Sequence, residues 1–243
     1  AAGGAPLTVV YRRSGARHTA TLTPTADENG HYKAGVWVRD SGAGIGTMSF
    51  VDPQRGTFAG LGHSISDADT GADLTLLSGE IVPVTITGCI RGAAGSPGEL
   101  RGEFAAAPAG TVLANDAAGV YGSYTGSCTA PALPVANLQE VTPGEAELWT
   151  TVLGTTAQPY TIQVERVTMT GSDPNRNLLI RVTDKRLLDA TGGVVQGMSG
   201  SPIVQNGRLA AVLTHVLVND PSRGYAIFAT TMLEKADAVA SSK

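Results

Sequence analysis

The chain has only two cysteines, Cys89 and Cys128, and no Cys-x-x-Cys pair. That spacing argues against a zinc or iron–sulfur site. A disulfide between the two is open and requires an oxidising compartment. Charge is also sparse: Asp, Glu, Lys and Arg make up 16% of residues and the net charge is −4, without a basic cluster. Nucleic acid and acidic membrane surfaces are therefore poor partners. No apolar run is long enough to span a bilayer, and no secretory signal opens the chain. The first residue is not methionine. A fragment or processed form is expected, with any membrane anchor upstream.

What is present is a globular composition, 42% hydrophobic, with 31 Gly and 13 Pro among 243 residues. The length suits one large β domain or two small barrels. Long helical patterns are few, and many short strands with glycine turns predict an all-β barrel or sandwich.

The most informative stretch is 193–216. Ser199 lies between Gly197 and Gly200. An apolar strand follows (Ile203, Val204), then Asn206-Gly207, then Leu209 to Leu213. Asn-Gly between two apolar runs predicts a hairpin, because both turn positions tolerate positive φ. A serine on a glycine-rich bend beside a hairpin suits a nucleophile, and the N–H groups of Gly197 and Ser199 are the candidate oxyanion donors. Ser201, on the same loop, is the rival nucleophile.

Elsewhere, 7–24 predicts a hairpin, and Gly35-Val-Trp-Val-Arg leads into the next block. Strands are predicted at 46–51 and 57–61, with His63 at the end of the second, and further strands at 79–90, 146–153, 160–169 and 177–183. Asp67 and Asp69 follow His63 in a polar loop and read as turn residues. Ala130-Pro-Ala-Leu-Pro is the candidate connection between two halves. Residues 185–192 read as a polar link. Thr231 and Glu234 have capping-box spacing, and Met232, Leu233, Ala236, Val239 and Ala240 repeat at helical period, which predicts a short final helix.

A serine needs a base, and the base needs an orienting group. His63, Asp184 and Ser199 stand in the His…Asp…Ser order of chymotrypsin-like enzymes. The expected fold is all-β: a chymotrypsin-like double β-barrel with a short C-terminal helix. Gly197-Met-Ser-Gly-Ser-Pro is similar to the serine loop of trypsin-like proteases. Two departures stand out. Met198 occupies the place of the aspartate that pairs with a new N-terminus there, so packing or another domain must order the loop. Asp184 lies fifteen positions before Ser199, far later than the trypsin-like acid. Asp67, Asp69 and a bare Ser–His dyad remain alternatives to it. The strand carrying Thr214, His215 and Val216 is the expected substrate edge. His215 is the rival base, read as cleft wall or core. Gly193, at the base of the expected specificity pocket, offers no carboxylate, so Lys or Arg is not favoured before the cut.

Longer runs carry a resemblance over nearly the whole chain: Gly44-Ile-Gly-Thr-Met-Ser-Phe, Leu61-Gly-His-Ser-Ile-Ser-Asp-Ala-Asp-Thr, Ser78-Gly-Glu-Ile-Val, Val182-Thr-Asp-Lys-Arg-Leu-Leu, Thr191-Gly-Gly-Val-Val-Gln-Gly-Met-Ser-Gly-Ser-Pro-Ile and Thr214-His-Val-Leu-Val-Asn-Asp-Pro. The chain resembles the SpoIVB peptidases, serine proteases of endospore-forming bacteria. The resemblance implies His63 as general base, Asp184 as acid and Ser199 as nucleophile, with no cofactor or metal. It implies residues 1–33 as the remnant of a PDZ-type hairpin, 34–135 as the half with His63, and 136–243 as the half with Asp184, Ser199 and the helix. It further implies an extracytoplasmic enzyme, between forespore and mother cell, membrane-associated in full length. Such an enzyme cleaves itself and a membrane-bound regulator of an intramembrane metalloprotease, in sporulation sigma-factor signalling. A catalytically silent module that binds a membrane partner is the alternative, and an esterase-like hydrolase a third reading.

Overall fold

The computed structural model describes residues 3–36, 42–67, 70–171 and 173–241. Asp69 and residues 37–41 lie outside them. Two compact units are present, Ala1–Ala43 and Gly44–Lys243.

In the first unit, β1 (Leu7–Arg13) and β2 (Ala16–Leu22) form the antiparallel hairpin expected from the alternating pattern. Ser14 and Gly15 turn it, with φ of 50° and 78°. β3 (Thr25–Ala26) pairs with β4 (Tyr32–Lys33). Between them Asp27 accepts hydrogen bonds from the N–H groups of Asn29 and His31 and pairs with Lys33 at 2.9 Å. None of the described residues of this unit is buried. Two-stranded sheets of this size enclose no core.

The second unit holds the chemistry. Its first half contains β5 (Met48–Asp52), β6 (Thr57–Gly60), β7 (Glu80–Ile81), β8 (Val84–Ile90), β9 (Glu99–Phe104), β10 (Gly110–Asp116) and β11 (Gly119–Tyr124). The strand predicted over 79–90 is broken at Val82-Pro83, since proline offers no N–H to a ladder. The sheet order is β5-β6-β11-β10-β7, and β8 and β9 form a separate hairpin. The second half contains β12 (Gly144–Thr150), β13 (Gln158–Val167), β14 (Leu178–Val182), α1 (Lys185–Thr191), β15 (Pro202–Gln205), β16 (Arg208–Val216), β17 (Arg223–Phe228) and α2 (Ala229–Ser241). Its six strands close into a barrel in the order β12-β13-β14-β17-β16-β15. The open sheet follows the same order less its first strand. The fold is all-β and chymotrypsin-like, with one barrel closed, the other half open, and a helix at the C-terminus.

Alternation explains the barrel. Along β14 Leu178, Ile180 and Val182 point inward, and they meet Ile162 and Val164 of β13, Leu148 of β12 and Leu213 of β16, all at 2% exposure or less. A smaller cluster of Phe58, Val112 and Val120 fills the open sheet. The final helix covers a seam between the halves: Met232 and Ala236 pack with Ala59 and Tyr121 on one side and Val212 and Ile227 on the other. It begins at Ala229, directly after β17, so Thr231 lies inside the first turn and the expected capping box does not form. Residues 185–191, read as a polar link, are helix α1. Asp184 caps its start, accepting from Arg186 N–H, and Gly192 at φ 78° ends it by donating to Leu188 O. Both signals are local, an N-cap and a glycine C-cap with seven residues between them.

Candidate functional site

The Asn206-Gly207 turn takes φ of 52° and 73° and joins β15 to β16 as expected. It fixes the far end of a hairpin whose near end carries Ser199. Gly197 and Gly200 take φ of 97° and 98°, so the chain bends sharply on both sides of Met198-Ser199. Ser199 is half-buried, while Met198 and Ser201 are fully buried. Met198 belongs to the barrel core. The side chain that replaces the trypsin-like aspartate thus holds the loop by packing. Ser201 donates to Thr150 Oγ1 at 3.0 Å inside the barrel, which removes it as a rival nucleophile.

Five successive peptide groups form the bend. Gln196 N–H donates to Gly98 O and Met198 N–H to Val195 O. Leu100 N–H donates to Gln196 O, Thr47 Oγ1 to Gly197 O at 3.1 Å, Ser201 N–H to Met198 O, and Thr47 N–H to Ser199 O at 2.8 Å. Gly200 N–H donates to Leu213 O. Among the described residues, the N–H groups of Gly197 and Ser199 are the two in this run without a partner. A trans peptide points its N–H opposite its C=O. Anchoring Gln196 O and Met198 O therefore aims these two donors away from the anchors. Such a pair can stabilise an oxyanion.

His63 follows β6 after Leu61 and Gly62, which take φ of 67° and 71°. Its Nδ1 lies 2.7 Å from Ser64 O. A carbonyl only accepts, so Nδ1 carries a proton, and in the neutral ring Nε2 keeps a lone pair. A second imidazole faces it: the rings of His63 and His215 are 4.9 Å apart between centroids and tilted by 36°. Burial, then the neighbouring charges of His63 and Arg176, push His215 down to about 4, while Asp173 opposes them. Its Nδ1 is buried without a hydrogen bond. His215 is thus a weaker base than an ordinary imidazole and a wall of the site. The Ser199 hydroxyl donates to Thr214 O at 2.8 Å rather than to either imidazole. Thr214 is buried, and its own hydroxyl shares its one proton between Asn175 O at 2.6 Å and Tyr225 O at 3.0 Å, tying β16 to β17 and to the turn Pro174–Arg176. Val216 pairs with Gly224. Past Val212 the pairing of β16 with β15 ends, while β17 follows it to Val216. This leaves an open edge beside Ser199.

Asp184 is not brought to His63. β14 spans about 13 Å from Leu178 to Val182 at strand rise. Asn175, which contacts Thr214, precedes it and Asp184 follows it. The Asp184 carboxylate is spent at that far end: it accepts from Arg186 N–H, from the Arg186 guanidinium and from Thr161 N–H. These bonds, led by Arg186, hold it at about 2. Asp67 accepts from Thr70 instead. Among the described residues, no carboxylate hydrogen-bonds to His63 or His215. The observed orienting group for His63 is the Ser64 carbonyl, with Ser64 Oγ itself donating to Asp73. Neither Ser64 nor Thr47 stands out by spacing or periodicity; their roles come from the Ser64 carbonyl and from the Thr47 N–H and hydroxyl, placed by the tertiary fold. Gly193, at φ 131°, is buried, and a Cβ there would lie 2.2 Å from Pro221 O, so no side chain fits.

Both cysteines are free thiols. Among the described residues, no group of three or more His, Cys, Asp or Glu is placed to hold a metal, and no helix is long and apolar enough to cross a membrane.

The family model of SpoIVB peptidase S55 matches residues 30–233, most of the chain. The chain belongs to that family. This SpoIVB-type chain is a serine peptidase. No curated protein matches it. Among solved structures, the active form of the Rv3671c protease from M. tuberculosis is similar at 17% identity and TM-score 0.38, covering 84% of this chain and 93% of that one. The inactive form of Rv3671c protease is similar at 16% and 0.38, covering 59% and 72%.

Proposed function

We propose that the chain is a serine endopeptidase working through a Ser199–His63 dyad. The observation that carries this reading is the half-buried Ser199 hydroxyl flanked by the two unpartnered N–H groups of Gly197 and Ser199. An extended substrate lies along the open edge of β16, at 214–216, and its backbone takes up Thr214 O. Ser199 Oγ then turns from Thr214 to Nε2 of His63, which removes its proton as the oxygen attacks the scissile carbonyl. The oxyanion is held by the Gly197 and Ser199 N–H groups. His63 next protonates the leaving amine; it then takes a proton from water, which attacks the acyl carbonyl, and returns that proton to Ser199 Oγ as the C–O bond breaks and the acid product leaves. Ser64 O keeps the imidazole in the tautomer this requires, a task done by a carboxylate in the triad template.

Family membership supports the finer reading: an extracytoplasmic enzyme that acts with an upstream PDZ domain, cleaves itself, and cuts a membrane-bound regulator of an intramembrane metalloprotease between forespore and mother cell.

The test is labelling with a fluorophosphonate, with the modified peptide mapped. Labelling at Ser199, lost in Ser199→Ala and His63→Ala and kept in Ser201→Ala, supports the dyad. An unlabelled, folded parent chain that binds a membrane partner would support the silent-module reading instead.

A further inference from the structure

Trypsin-like enzymes order their oxyanion loop with an ion pair at the position of Met198, which carries no charge. Packing of Met198 in the barrel core holds the loop, but it does not aim the peptide groups on either side, and one residue touches the loop at two carbonyls and the segment leading to His63. Thr47 lies in the segment entering β5, 150 positions before Gly197. Its Oγ1 donates to Gly197 O and its N–H to Ser199 O, at 3.1 and 2.8 Å. These carbonyls belong to the peptide groups that follow each of the two oxyanion donors. Its own carbonyl accepts from Leu61 N–H at 3.2 Å, two residues before His63. The fit around it is close: a Cβ on Gly200 would lie 1.9 Å from Thr47 O and 2.7 Å from Leu61 N.

We propose that Thr47 is the positioning residue of the catalytic site, its hydroxyl fixing the Gly197 peptide so that the oxyanion donors face the reacting carbonyl, and its backbone setting Ser199 against the segment that carries His63. This rests on the dyad reading above. The hydroxyl is the separable element. The two backbone bonds survive any side-chain change, so loss of the hydroxyl should misdirect the donors without detaching the loop. Removing one oxyanion donor outright costs about 10²–10³ in rate. Misdirecting a donor that remains should cost less, roughly tenfold.

The experiment compares the parent with Thr47→Val, which keeps the shape and drops the hydroxyl, and Thr47→Ser, which keeps the hydroxyl and drops the methyl. The readouts are the second-order rate of Ser199 phosphonylation, kcat and KM on a peptide substrate, and the 31P shift of the phosphonyl adduct, whose P=O occupies the oxyanion position. The expected result is a loss of roughly tenfold in phosphonylation and in kcat for Thr47→Val. KM should stay within about twofold and the 31P signal should move, while Thr47→Ser recovers most of the rate. Equal rates in Thr47→Val and the parent would overturn the proposal. So would equal losses in Val and Ser, which would make the methyl's packing responsible. If Thr47→Val does not fold, Thr47→Ala against Thr47→Ser gives the same contrast, and the proposal falls unless Ala is the slower by roughly tenfold. A folded parent that never labels at Ser199 refutes the dyad itself and this proposal with it. A labelling parent with an indifferent Thr47→Val refutes this proposal alone.

Discussion

Replacing Asp184 with asparagine separates two accounts of the site by orders of magnitude. If Asp184 oriented His63, its loss would cost activity on the scale of the triad template, about 10⁴ in kcat. The structure instead spends this carboxylate on Arg186 and on two backbone N–H groups at the far end of β14. Asparagine is an equally good N-cap, so α1 should persist. What is lost is the charge. The carboxyl sits at about 2 rather than 3.8, which at about 1.4 kcal/mol per unit sets a ceiling near 2.5 kcal/mol. The Arg186 side chain is 67% exposed, and solvent screening brings the expected loss down to about 1 kcal/mol. The sign follows from a folded pKa below the unfolded one. The stabilisation is fully present above about pH 4 and fades as pH falls through about 2. Urea unfolding of the parent and Asp184→Asn should therefore differ at pH 7 and converge toward pH 2. At pH 7, kcat/KM on a peptide should stay within about threefold, against the far larger loss the triad role requires. A loss of a thousandfold or more in a variant that still unfolds cooperatively would refute this reasoning and return Asp184 to the imidazole.

Two further outcomes follow from the same geometry. Gly200→Ala places a Cβ 1.9 Å from the Thr47 carbonyl at φ 98°, a clash with backbone that no rotamer change relieves. It should cost about 3 kcal/mol or more in chemical denaturation and abolish fluorophosphonate labelling together with it. His215, held at about 4 against an ordinary 6.5, should show its NMR titration near that lower value. Because folding favours the neutral ring, the parent should lose stability as pH drops from about 6.5 to about 4, with no further loss from this group below that. His215→Phe should flatten that part of the profile, and an unchanged profile would show that the ring is not buried neutral.

The elements that could be read in advance were those fixed by neighbours in sequence. Ser14-Gly15 and Asn206-Gly207 turn their hairpins because each places two residues at positive φ, a property of the residues themselves. The strand read over 177–183 is β14, and its side chains alternate between buried and half-buried, as those of a strand do whatever they pack against. Local residue preferences also mark the loop bearing Ser199 and the strand ending near His63. They mark α1 too, by an Asp cap and a terminal Gly, though the charges between them read as a link.

Order along the chain suggested His63, Asp184 and Ser199 as one set, but order does not say which ends of a strand face which cleft. The closed barrel decides that. Asp184 and Asn175 flank β14, and the pairing of β14 with β17 sends only the Asn175 end to Thr214 and His215. The anchoring of the oxyanion loop by Thr47 and Leu100 is likewise a product of tertiary folding, made by two backbone N–H groups that every residue but proline carries and by one hydroxyl, that of Thr47. The sequence by itself determined the turns, the strand faces and the candidate nucleophile, because those depend on φ preferences and side-chain period. Only the tertiary structure decided which carboxylate is spent as a helix cap, which carbonyl orients His63 and which N–H groups stay free, because hydrogen bonds across long separations depend on where the barrel brings the backbone together.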